Sequence, residues 1–129
     1  PLLPLRFPLI LFFAIVSLLP SISSSSSQMT FTWPTALAVN PLDDTLHVID
    51  SDMVLQLTHN GFVRILAGHP IHCPEKTGSN KARDVTLISP QDLTFDANGD
   101  LYFSESDLHR IHRVRKVTAD GVIHHVVGE

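Results

Sequence analysis

Four groups of side chains in this chain have the types and spacing to do chemistry. His69, His72 and Cys73 stand as His-x-x-His-Cys, the ligand types and close spacing of half a zinc site. A structural zinc takes four ligands and no second cluster completes the set, so no metal is assigned here. Cys73 is the only cysteine, which excludes a self-contained disulfide scaffold and leaves it able to pair outside this sequence. Asp43, Asp44, Asp50 and Asp52 are answered later by Asp96, Asp100, Glu105 and Asp107. Converging oxygens of that kind could hold calcium or the ion of a metal-dependent hydrolase or lyase. Acids at matching points of two units are more simply turn-formers and partners between neighbouring sheets. His109, Arg110, His112, Arg113, Arg115 and Lys116 form a basic run, the footprint expected of an RNA-binding surface. Yet the net charge is −4 and the matching stretch upstream is not basic, so a solvated outer strand is the better reading and no nucleic acid partner is expected. His124 and His125 are adjacent, and in a strand they face opposite sides, so they cannot share an ion and at most one is buried. With no Gly-x-Ser-x-Gly or comparable nucleophile pattern, no catalytic residue and no cofactor are assigned.

These side chains need a scaffold, and the chain repeats the one it uses. Residues 58–68 and 118–128 share the skeleton Thr-x-(Asn/Asp)-Gly-x-(Val/Ile)-x-x-(Leu/Val)-x-Gly, 60 positions apart. Residues 34–39 (PTALAV) are echoed by 90–95 (PQDLTF), 56 positions apart. Two ordered echoes mean a duplicated supersecondary unit.

Each unit divides into short β-prone runs separated by turn residues. In the first these are 35–39, 45–49, 53–57 and 62–67; in the second, 92–95, 101–104, 113–118 and 122–127. Asn60-Gly61 and Asp120-Gly121 are the matching hairpin turns, expected to be of type I′ with positive φ at both residues. Ile111, Val114 and Val117 are spaced as on a helix face. The repeat nevertheless aligns 113–118 with the β-prone 53–58, so a strand is expected there. The fold class is all-β, two consecutive four-stranded antiparallel blades occupying 33–68 and 90–128, with an insert over 69–89. A four-stranded unit of this size matches a β-propeller blade, and a blade needs neighbours on both faces. Two do not close a ring of about four to eight. The chain therefore reads as an incomplete propeller, and residues 30–129 made alone are expected to be poorly soluble. The insert, rich in Pro, Gly, Ser and Lys, is the part best suited to variable contacts.

Residues 1–29 differ in composition. An apolar stretch over 9–19 follows Arg6 and precedes a serine run at 23–27. It is signal-like but crowded by Pro4, Pro8 and Pro20, so a truncated or misread end joined to a genuine repeat is the first reading, a signal-like segment the second and a membrane span the last. On each reading it is not expected to join the fold.

The second unit, Pro90…Leu93-Thr94-Phe95…Gly99-Asp100-Leu101-Tyr102-Phe103-Ser104-Glu105 followed by Arg113-Val114-Arg115-Lys116-Val117, resembles NHL-repeat propellers, with His112 where asparagine is usual. Trp33-Pro34-Thr35-Ala36-Leu37-Ala38-Val39-Asn40-Pro41-Leu42-Asp43 and Gly68-His69-Pro70-Ile71-His72-Cys73 narrow this, being similar to the propeller of teneurins over residues 33–129. The resemblance implies a non-catalytic extracellular module of a large single-pass plasma-membrane protein, active in cell adhesion and neuronal partner matching. Its expected partners are a latrophilin-type receptor or another teneurin. An extracellular setting also suits Cys73 as half of a disulfide.

Overall fold

The computed structural model describes residues 30–69 and 78–129; the N-terminal segment, His72 and Cys73 lie outside them. Eight strands form two sheets. The first contains β1 (Pro34–Val39), β2 (Leu46–Asp50), β3 (Met53–Leu57) and β4 (Val63–Ala67) in the order β1-β2-β3-β4. The second contains β5 (Pro90–Phe95), β6 (Leu101–Ser106), β7 (His112–Val117) and β8 (Ile123–Gly128) in the order β5-β6-β7-β8. All neighbours are antiparallel. Val114 and Val117 lie on strand β7, so their helical spacing was coincidental.

The duplication extends to irregularities that a sequence pattern does not display. Each inner strand carries a bulge at its start, between Pro34 and Ala36 and between Pro90 and Asp92. Each outer pair carries another, between Val54 and Leu55 and between Val114 and Arg115. A bulge turns the strand and adds local twist, so both sheets are shaped alike. The units differ in loop length. The β1–β2 loop of the first closes through Asn40 N–H to Thr45 O (2.9 Å), one residue longer than the Asp96 to Asp100 closure of the second (3.0 Å). The β6–β7 loop is correspondingly longer than the tight turn at Ser51 and Asp52.

The hairpin turns stand where expected but in another conformation. Gly61 has φ +78° and Gly121 φ +80°, while Asn60 and Asp120 keep negative φ. Gly61 N–H donates to Thr58 O (3.0 Å) and Thr58 N–H to Phe62 O (2.9 Å); Gly121, Thr118 and Val122 repeat this at 2.8 and 3.0 Å. Each is thus a three-residue loop, a type I turn followed by a left-handed glycine, and type I′ is corrected. The repeat's last glycine has a stricter reason. A Cβ on Gly68 (φ +80°) would lie 2.4 Å from the backbone O of Asp52, whereas one on Gly61 meets nothing within 4 Å. Gly61→Ala should therefore cost about 1 kcal/mol, the left-handed penalty alone. Gly68→Ala should cost roughly 3 kcal/mol because backbone must also move. Urea midpoints of the two variants, compared in a propeller containing both blades, check the order; equal midpoints would contradict it.

The sheets stack face to face, β1 beside β5. One core runs through both: Ile49, Val54 and Ala67 of the first sheet meet Leu93, Leu101, Phe103, Val117 and Ile123 of the second, with Ala82 and Leu87 between. Ala36 and Ala38 pack against this core. The repeat equates Leu37 and Val39 with Leu93 and Phe95. Leu93 is buried because the first sheet covers it, whereas Leu37 and Val39 are 67% and 52% exposed. The same face of a blade is thus covered in one copy and bare in the other, as expected when each blade shields its successor.

His47 lies in this junction, buried, its ring edge-on to Phe95 with centroids 4.8 Å apart. Its Nδ1 is 3.3 Å from Thr45 O. Burial pushes its pKa below the usual 6.5, and Arg64 adds to that, while the Thr45 carbonyl and Asp43 oppose it. The folded form therefore favours neutral imidazole, so this contribution is complete above pH ~6.5 and is lost as pH falls toward the lowered value. The urea midpoint should fall on acidification over that window more in the parent than in His47→Gln. Parallel pH profiles would contradict it.

Candidate interaction surface

The acids that could have held a metal are engaged in building turns. Asp43 Oδ1 accepts from Thr45 Oγ1–H (2.6 Å) and Thr45 N–H (3.0 Å); the hydroxyl first, then the backbone N–H, holds its pKa below the usual range. Asp96 Oδ1 accepts from the N–H groups of Asn98 and Asp100, both at 2.9 Å. Asp107 Oδ1 collects the N–H groups of Ile111, Arg110 and His109 at 2.8, 2.7 and 3.0 Å, and these draw its pKa down to about 2. Asp120 is lowered chiefly by the Thr118 hydroxyl at 2.5 Å, then by Val122 N–H. Side-chain carboxylates that accept local backbone donors are turn chemistry.

One further acid stands at or next to the end of the second strand in each unit, Asp50 and Glu105, both buried. Asp50 accepts from the N–H groups of Thr32 (3.0 Å) and Trp33 (2.5 Å). Glu105 accepts from Ile88 N–H (2.7 Å). Each ties the lead-in of its unit to the second strand. Glu105 also accepts from Arg113 Nε (2.6 Å), with Arg115 Nη1 at 3.5 Å. Asp100 pairs with Lys116 Nζ at 3.4 Å. That nitrogen lies 5.8 Å from the Tyr102 ring centroid, and Tyr102 first, then Asp100, raises its pKa. The acids are thus divided among loops and strand ends, and among the described residues no three His, Cys, Asp or Glu are placed to hold a metal.

The basic run is divided in the same way. Arg113, Arg115 and Lys116 face acids of their own sheet, while His109 and Arg110 are exposed on the Asp107 loop. His124 and His125 are both exposed on β8. His69 Nε2 lies 3.0 Å from Thr86 Oγ1, and the other two residues of its motif are outside the described part.

The described limb of the insert, 78–89, is pinned to both blades. Gly68 N–H donates to Ala82 O (2.9 Å), Ala82 N–H to Gly121 O (2.8 Å), and Ile123 N–H to Asn80 O (2.9 Å). Lys81 and Val122 form an isolated antiparallel bridge. Ala82 opens a single 3-10 turn (Ala82–Asp84) and is wholly buried, so its neighbours Lys81 and Arg83 project outward. Between this limb, the β7–β8 hairpin and β4 lies a rim groove of about 480 Å³. Arg64, Lys81 and Arg83 supply its cations, and Asp120 is its one acid. Arg64 Nε donates to Gln56 Oε1, which holds the guanidinium at the groove wall. Sequence reading missed this site: its cations are scattered over two segments, and only the alternation Lys-Ala-Arg around Ala82 hints at an outward pair.

With the two bulged, stacked sheets in view, the comparisons with known proteins agree. The model of the teneurin NHL domain matches residues 16–129. Teneurin-m of Drosophila melanogaster is 44% identical over 99 residues, covering 74% of this chain. Teneurin-4 of Mus musculus is 44% identical over 108 residues (79% of the chain), and teneurin-3 of Danio rerio 41% over 105 (78%). In each case the chain spans about 4% of the relative's length. Among solved structures, a putative gluconolactonase shares 14% identity at a TM-score of 0.29, over 74% of this chain and 49% of that one, a likeness too slight to bear on activity. The repeat, its paired bulges and these identities lead to one assignment: the chain belongs to the teneurin NHL-domain family.

Proposed function

We propose that this chain is part of a non-catalytic interaction module on the extracellular side of a teneurin-type membrane protein, acting in cell–cell recognition during neuronal development. The observation that carries this reading is the use of its polar residues. Asp43, Asp50, Asp96, Asp107, Asp120 and Glu105 are all engaged by backbone or side-chain donors of their own blades or of the lead-ins to them. The rim groove, by contrast, presents cations from β4 and from the insert limb that is pinned to both blades. Rigid sheets that display loops suit recognition. The partners fitting the reading are a latrophilin-type receptor or a second teneurin on the opposing cell.

The test is aggregation of cells displaying the full-length protein, mixed with cells displaying a latrophilin-type receptor or with one another. Aggregates in at least one pairing, dispersed by soluble ectodomain, are the expected result. Dispersed cells in both pairings at equal surface display would overturn the reading.

A further inference from the structure

We propose that the rim groove receives an extended acidic segment of a partner polypeptide, laid along the open edge of β4. The inference deepens the recognition function above and rests on it. Three observations lead to it. First, β4 is the edge of its sheet: the strand order ends there, and described backbone pairing beyond it begins only at Gly68 with Ala82. An exposed edge with free N–H and C=O groups is a template for an added strand. Second, the groove beside that edge carries an excess of positive charge. Neither Lys81 nor Arg83 forms an ion pair among the described residues. The one acid in the wall, Asp120, is turned onto the Thr118 hydroxyl and Val122 N–H. The adjacent Asp84 accepts from Ser79 Oγ–H (2.8 Å). Third, at about 480 Å³ the groove falls within the ~300–1,000 Å³ range of ligand clefts.

The far wall is stiff. Asn80 is held to β8 by the Ile123 N–H and Ala82 to Gly121 by its own N–H, and Ala82 is anchored in the core. Lys81 and Arg83 thus stand on one ridge facing Arg64 on the strand, so an entering chain meets cations on both sides. Side chains of an added strand alternate in direction. Acids at alternate positions would meet these cations while small apolar residues between them meet Ile65 and Leu66.

The test uses the longest secreted form of the protein and labelled ten-residue peptides in fluorescence anisotropy, free of cells, so its failure is distinct from failure of aggregation. A peptide alternating Glu and Val should bind, and a Lys–Val peptide should not. Raising salt from 50 to 500 mM should weaken binding several-fold. Lys81→Glu combined with Arg83→Glu should weaken it at least tenfold, and Arg110→Glu, an exposed cation outside the groove, should leave it unchanged. A Glu–Pro peptide, equally charged but lacking alternate N–H donors, should bind at least tenfold more weakly if the edge is used. Absence of Glu–Val binding, indifference to the Lys81/Arg83 reversal, or equal binding of the Glu–Pro peptide would each overturn the proposal. So would tighter binding of heparin oligosaccharide or polyuridylate through the same residues.

Discussion

Glu105→Ala should lower the stability of a propeller containing both blades by about 3–5 kcal/mol, the usual cost of removing one partner of a buried ion pair. The side chain is fully buried. It joins three things: Ile88 N–H in the lead-in to β5, Arg113, and Arg115 one turn of the strand pleat further on. Its removal leaves the part-buried Ile88 N–H without its acceptor and takes the Glu105 carboxylate away from Arg113 and Arg115. The first unit has a milder arrangement. Asp50 accepts only backbone N–H groups, and the positions matching Arg113 and Arg115 are Met53 and Leu55. That difference supplies a control. In an Arg113→Met, Arg115→Leu background no cation is left stranded, so Glu105→Ala should cost only about 1–3 kcal/mol, the penalty of the abandoned Ile88 N–H. Urea unfolding of the four forms measures the difference. Equal costs in the two backgrounds would show that Glu105 does not act through the arginines.

Phe103→Ala should have a similarly large effect, about 3–5 kcal/mol, for a different reason. Phe103 is the largest fully buried side chain among the described residues and sits where the second sheet meets the first. Its loss removes apolar burial and leaves a cavity that two hydrogen-bonded sheets cannot collapse around. Phe103→Leu keeps most of the volume and should cost less than about 1.5 kcal/mol. If Phe103→Ala were no worse than Phe103→Leu, the junction would be loosely packed and the stacking described here would be wrong.

Much of the fold was legible in the residues because β-structure writes itself locally. Alternation in 101–105 and the turn residues around Gly61, Gly99 and Gly121 mark strand ends wherever the chain goes. The echo at 58–68 and 118–128 then revealed the duplication, and it overrode the helical spacing of Ile111, Val114 and Val117. The turn type was not legible. Asn-Gly is compatible with several hairpin loops, and choosing among them depends on the Thr58 and Phe62 pairing that closes the strand. Nor could the roles of the acids be separated. Asp43, Asp50 and Asp107 look alike in sequence, yet one braces a loop, one holds the lead-in to β1, and one gathers three N–H groups. The rim groove was least legible. It exists only because the insert returns across Gly121 to set Lys81 and Arg83 opposite Arg64, a juxtaposition of residues with no shared periodicity.

The two units stack as successive blades, the outgoing face of the first upon the apolar face of the second. A double-mutant cycle on His47 and Phe95, read as urea midpoints above pH 7 in a propeller containing both blades, tests this stacking most directly. The stacked arrangement predicts a coupling of about 0.5–1.5 kcal/mol, that of an edge-to-face aromatic pair. Strict additivity of His47→Ala and Phe95→Ala would contradict it.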